Sequence, residues 1–166
     1  SWAQRHSIHL ETAAVALDAI VVEVQHDPLA SHLVGAVQDP RLPFEEDAFE
    51  LVALADVLHH AARPEVLLAE ALRVASRAVL VKDHLARGWP SRGLLFAMDL
   101  MGNVAAGVAV PGRYFDPASL RALVAGCGGV IVREAWPIDV HDPALRRVAP
   151  SELHVAAAVV RRGRPA

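Results

Sequence analysis

Phe49-Glu50-Leu51-Val52-Ala53-Leu54-Ala55-Asp56-Val57, then Pro64-Glu65-Val66-Leu67-Leu68-Ala69-Glu70-Ala71-Leu72-Arg73-Val74, then Ala78-Val79-Leu80-Val81-Lys82-Asp83: this stretch decides the fold. The first run is apolar and short, introduced by the acidic turn Glu45-Glu46-Asp47, and reads as a strand over Phe49–Val57. Pro64 suits the first position of a helix because its missing N–H would be unpaired there, and Glu65 suits the positive helix end. Leu67, Leu68, Ala71, Leu72 and Ala75 then recur on one helical face, while Glu65, Glu70 and Arg73 are expected to point away from it. The third run is a buried strand over Ala78–Asp83. Strand, helix and strand at this spacing predict a right-handed crossover and hence a parallel sheet.

Working outward, Ala19–Val24 is a β-branched run and a further strand, followed by the loop-like His26-Asp27-Pro28 and a short apolar piece, Leu33–Val37. Downstream, Arg92–Met101 reads as a helix rich in Leu, Phe and Met, followed by a loop from Gly102 to Arg113. Asp116-Pro117 is an N-cap followed by a first-turn proline, and the helix it opens stops at Gly126-Cys127-Gly128-Gly129. Two β runs close the chain, Val130–Ala135 and Leu153–Val160, joined by a loop without helical pattern. Such a pair favours an antiparallel hairpin. The fold class is therefore α/β, with a mostly parallel sheet ending in an antiparallel pair.

The 166 residues suit one domain over residues 1–162, with residues 163–166 a basic tail. Arg161, Arg162 and Arg164 are read as solvated, and a net charge of −3 gives no basic surface for nucleic acid. Charged residues interrupt every apolar stretch, so no membrane span is expected, and His6, His9 and Glu11 occupy the place of a secretion signal's apolar core. One cysteine, Cys127, rules out an internal disulfide framework and makes the cytoplasm the default.

The segment Asp39-Pro-Arg-Leu-Pro-Phe-Glu-Glu-Asp-Ala-Phe-Glu-Leu-Val-Ala-Leu-Ala-Asp-Val-Leu-His-His60 resembles the middle of the small-molecule class I S-adenosylmethionine (SAM)-dependent methyltransferases. Their pattern there is an acidic residue, two spacers, Leu-Pro-Phe, an acidic turn, Phe-Asp-Leu-Val, and a strand ending in Asp/Asn/Ala-Val-Leu-His-His. Pro64–Val74 and Ala78–Asp83 resemble the family's next helix and fifth strand. A weaker likeness lies in Met98-Asp-Leu-Met-Gly-Asn103 and Ser151-Glu-Leu-His154. The resemblance implies a Rossmann-like methyltransferase sheet with a C-terminal antiparallel hairpin, SAM as cofactor and a small-molecule acceptor.

It also implies site residues. Glu23 stands where the family's acid accepts from the ribose hydroxyls. Asp39, followed by Pro40, stands where an acid accepts from the adenine amino group. Asp56, with Val57 and Leu58, would meet the methionine end of the cofactor. The plainer readings are a strand-end charge for Glu23, a turn aspartate for Asp39 and a loop cap for Asp56. His60, His84, Asn103 and Tyr114 are candidates for the acceptor pocket, although no base constellation stands beside His84 in the sequence. The pair His59-His60 is not read as a metal site, because adjacent residues on an extended segment point to opposite faces.

The family's first strand ends in an acidic-X-Gly-X-Gly-X-Gly loop, which lets the backbone approach the cofactor. This sequence has no glycine before Gly35. Ser1–Ala16 has room for the helix after that loop, with Leu10, Ala13, Ala14 and Leu17 on one face. The expectation is a domain lacking its first strand and glycine loop, an incomplete piece of a longer enzyme, since Ser1 is no natural initiator. An unpaired strand edge would favour association of copies. The rival is a non-catalytic relative serving as scaffold or dimer partner. A nicotinamide-dependent dehydrogenase would need the same glycine loop and leaves the Leu-Pro-Phe and Val-Leu-His-His stretches unexplained.

Overall fold

The computed structural model of the chain describes residues 19–23 by their backbone, and residues 41–42, 44–103, 110–140 and 149–163 in full. The expected N-terminal helix, the Leu33–Val37 piece, Asp39 and Pro40 lie outside the described residues. Among them five strands form one sheet: β1 (Ala19–Glu23), β2 (Phe49–Ala55), β3 (Ala75–His84), β4 (Gly129–Ala135) and β5 (His154–Arg161). Their spatial order is β1-β2-β3-β5-β4. β1, β2 and β3 run parallel, and β5 is antiparallel to both β3 and β4. The expected terminal pair is present, with β5 inserted between β3 and β4. β1 lies directly against β2, Glu23 opposite Ala55, so no interior gap separates these strands.

Three helices accompany the sheet: α1 (Pro64–Val74), α2 (Trp89–Asn103) and α3 (Pro117–Gly126). Asp116 caps α3 in a reciprocal box, its carboxylate accepting from the Ser119 N–H at 2.8 Å while the Asp116 N–H donates to the Ser119 hydroxyl at 2.8 Å. No helix among the described residues is long and apolar enough to cross a membrane.

The alternation along the strands builds the core. Val52 and Leu54 of β2, Val79 and Val81 of β3, and Ala157 and Val159 of β5 bury one sheet face against Leu67, Leu68, Ala71 and Leu72 of α1. Val124 of α3 joins the same cluster, so α1 and α3 share a face. Gly129 permits this closeness: a Cβ there would meet Val159 at 2.8 Å and Val124 at 3.0 Å.

Several boundaries and orientations differ from the sequence reading. β2 stops at Ala55 rather than Val57, because Asp56 takes a left-handed backbone conformation (φ 54°) and the chain turns over Leu58–His60. β3 begins at Ala75, where the chain leaves α1 directly in extended conformation. Glu70 and Arg73 do not point away into water. The Glu70 carboxylate accepts from the Leu42 N–H at 2.8 Å and from Arg73, while Arg73 donates to the carbonyls of Leu42 and Phe44 at 3.1 and 2.9 Å. This pair ties Leu42 and Phe44 to α1 by satisfying their backbone groups. Arg161 is no tail residue either. It ends β5 and pairs with Glu46 and Asp47 of the acidic turn, and donates to the Arg73 carbonyl at 3.0 Å.

Candidate functional site

The parallel strands deliver their last residues to one edge of the sheet, and polar side chains converge there. β2 presents Asp56, β3 presents Asp83 and His84, and β5, running the other way, begins at His154 opposite His84. The turn after β2 adds His59 and His60, α2 adds Asp99, and the segment before α3 adds Tyr114.

Asp83 is the hub. It is fully buried, and its Oδ1 lies 2.6 Å from His59 Nδ1, which donates to it. The same oxygen accepts from the His84 N–H at 2.7 Å, while Oδ2 accepts from the Leu58 N–H at 3.0 Å. A buried carboxylate needs such donors, because leaving its charge unpaired in a low dielectric costs several kcal/mol. His59 Nε2 faces Asp99 Oδ2 at 3.5 Å, and the Tyr114 hydroxyl donates to Asp99. Burial and the Asp99 carboxylate both raise the Tyr114 phenol pKa, so it remains a donor.

Asp56 stands slightly apart. The Lys82 ammonium donates to its Oδ2, while its buried Oδ1 faces His84 Nδ1 at 3.4 Å, and neither of these two atoms has a hydrogen bond. Burial pushes the His84 pKa well below the usual histidine value, helped by the positive charge of Lys82. His84 is therefore a neutral imidazole near pH 7. Its ring lies 4.8 Å from both the His59 and His154 rings.

The sequence candidates fare unequally. Asp56, His60, His84 and Tyr114 come together at this edge. Val57 and Leu58 are 1% exposed and belong to the core, so only their backbone is available to a ligand. β1 carries Glu23 to the same edge, its last position opposite Ala55, and its side chain lies outside the description. Asn103 ends α2 half-buried and makes no hydrogen bond to the cluster among the described residues. Three arginines of the same region are tied to the framework: Arg92 donates to the Tyr114 carbonyl, Arg113 to the Ala62 carbonyl, and Arg87 lies over the Trp136 ring.

Sequence reasoning passed over Asp83, Asp99 and His154 as functional groups, and gave His59 no part in the site. An aspartate amid the Leu, Phe and Met of α2 was the available signal, because a carboxylate there must find partners.

Comparison with known proteins gives one family-model match and a set of similar folds. Residues 3–80 match the family model described as a methyltransferase domain. No curated protein matches the sequence. A SAM-dependent methyltransferase from Methanosarcina mazei shares the fold at a TM-score of 0.55 and 12% identity, covering 93% of this chain and 86% of that one. The YcgJ protein of Bacillus subtilis gives 0.52 and 13%, covering 87% and 82%. A Haloferax volcanii protein solved in complex with the Trm112 methyltransferase activator gives 0.52 and 12%, covering 76% of this chain, which spans 60% of that protein's length. At these identities the structural likeness is one of fold, and it agrees with the methyltransferase-domain match over residues 3–80.

Proposed function

We propose that the carboxyl edge of β1, β2 and β3 is the methyl-transfer site, taking SAM as donor and a small organic molecule as acceptor. The observation that carries this reading is Asp56: a left-handed residue at the end of β2, with one carboxylate oxygen held by Lys82 and the other buried without a hydrogen bond. Backbone strain of this kind persists where the surroundings enforce it, and it concentrates at functional sites. An orphaned carboxylate oxygen suits the ammonium group at the methionine end of the cofactor. Glu23, Asp39 and Pro40 are proposed to hold the ribose and adenine, as the family pattern implies, with Val57 and Leu58 offering backbone only.

Bound SAM supplies an electrophilic methyl group. The chain's own contribution is alignment and exclusion of water, which can account for much of such a rate enhancement without a nucleophile. His84, neutral and beside Asp56, is placed to accept a hydrogen bond from an acceptor hydroxyl or amine. Tyr114 and His60 would form the adjoining wall, with Asn103 at its rim. A small organic acceptor agrees with the apolar side chains that α2 exposes, Trp89, Phe96, Leu100 and Met101.

Those same side chains support a second reading, a non-catalytic scaffold docking through α2. The two separate cleanly by mapping amide shifts during titration with S-adenosylhomocysteine. The methyltransferase reading expects perturbations at Asp56, Val57, Leu58 and His84. Perturbation confined to α2, or none in a folded chain, would favour the scaffold.

A further inference from the structure

The adjacent histidines were set aside as a metal site because an extended chain would point them apart. They do not lie on an extended chain. The His60 and Ala61 N–H groups both donate to the Val57 carbonyl at 3.1 Å, closing a turn that brings the two imidazoles within 4.0 Å, centroid to centroid. His59 is oriented from behind: its Nδ1 donates to Asp83, and the Leu58 and His84 amides fix that carboxylate in turn. The opposite nitrogen, Nε2, is buried in a side chain only 1% exposed and has no hydrogen bond.

Facing that nitrogen is Asp99 Oδ2, at 3.5 Å. This is too far for a good hydrogen bond. It is close to the spacing of about 3.4 Å between two ligands each about 2.1 Å from a tetrahedral zinc ion. One ligand atom from each of His59, His60 and Asp99 lies within 4.8 Å of the others. Asp99 carries its own support, the Tyr114 hydroxyl. Among the described residues no lysine or arginine side chain pairs with Asp83 or Asp99, so two buried carboxylates converge on one histidine.

The geometry points to a binding site for a divalent transition metal ion formed by His59, His60 and Asp99. Asp83 and Tyr114 orient the ligands, and one coordination position remains for water or an acceptor oxygen. Two imidazoles and one carboxylate form a donor set suited to zinc or cobalt(II) rather than magnesium or calcium. A carboxylate behind a ligating histidine is the usual second partner of such sites. The ion would supply the charge that Asp83 and Asp99 otherwise lack. The inference stands apart from the methyl-transfer reading, since it concerns affinity for the metal alone.

The competing account makes His59 an imidazolium between the two carboxylates. Burial alone would lower its pKa, but Asp83 and Asp99 together raise it above the usual value. Titration of the full chain with zinc by calorimetry, and with cobalt(II) by visible absorption, separates the two. The expected result is one ion per chain with the intense d–d bands of a low-coordinate site. Affinity should fall about a hundredfold in His59→Gln and Asp99→Asn, and about ten- to a hundredfold in Asp83→Asn. It should be unchanged in Cys127→Ser and in the double variant His6→Gln/His9→Gln. Should a ligand variant fail to fold, imidazole NMR of the unaltered chain decides: zinc must shift His59 Nε2 and displace its proton. A doubly protonated His59 untouched by zinc, or binding that survives His59→Gln and Asp99→Asn, would overturn the site.

Discussion

The two ends of the sheet solve the placing of charge in opposite ways. At the carboxyl end, Asp83, His59 and His154 are at most 1% exposed, and polar groups meet in a nearly dry cluster. At the amino end, Arg73, Glu70, Arg161, Glu46 and Asp47 form ion pairs whose side chains remain 16–61% exposed. Desolvated charges couple strongly and are costly to leave unpaired, whereas exposed pairs are screened and contribute about 0–1 kcal/mol each. The amino end fastens loops: Arg73 holds Leu42 and Phe44, and Arg161 holds the acidic turn. The carboxyl end holds unpaired polar atoms in place, which is what a binding site requires.

The contrast can be broken from either side. The largest effect is expected for Asp83→Ala, which strips His59 and two backbone amides of their buried acceptor. It should cost about 3–5 kcal/mol in urea unfolding, with little dependence on salt. Arg73→Ala comes next, because it frees two carbonyls that water can partly reach, at about 1–2 kcal/mol. Smaller again is Arg161→Ala, at about 0.5–1 kcal/mol in low salt, shrinking toward zero in molar sodium chloride. A salt-sensitive Asp83 variant and a salt-insensitive Arg161 variant would erase the distinction.

Acidity sharpens the comparison further. His84 has a folded pKa below its usual value of 6.5, so its contribution favours the unfolded chain as pH falls through that value and recovers above it. His59 is raised, so its contribution is complete below 6.5 and is lost as pH rises through the folded value. Removing His84 as His84→Gln should therefore leave stability that declines with rising pH near neutrality, and His59→Gln the reverse. At the amino end, Arg73 lowers the Glu70 pKa through their hydrogen bond. The clamp is complete above pH 4.5 and loosens as pH falls below it, which amide exchange at Leu42 would register.

Much of the fold was legible in the sequence because periodicity reports burial. The strand beginning at Phe49, the Pro64 helix start and the Asp116 cap all act locally, so their residues announce them. The site was less so. Asp56 and His84 stood at readable strand ends, but their meeting across β2 and β3 depends on strand register. Asp99 reaches His59 from 40 residues away through the docking of α2, which no local pattern encodes. Glu70 and Arg73 misled for a related reason: on a helix surface they look like solvent-facing charges, and only the return of Leu42–Phe44 gives them buried work.

The most direct test is calorimetric titration of the folded chain with SAM and with S-adenosylhomocysteine, alongside Asp56→Ala and Arg161→Ala. The account predicts binding of both ligands, weakened about tenfold or more in Asp56→Ala, equivalent to about 1.4 kcal/mol, and unchanged in Arg161→Ala. A folded chain that binds neither ligand, or binds them equally well without the Asp56 carboxylate, would contradict the assignment of the carboxyl edge as the methyl-donor site.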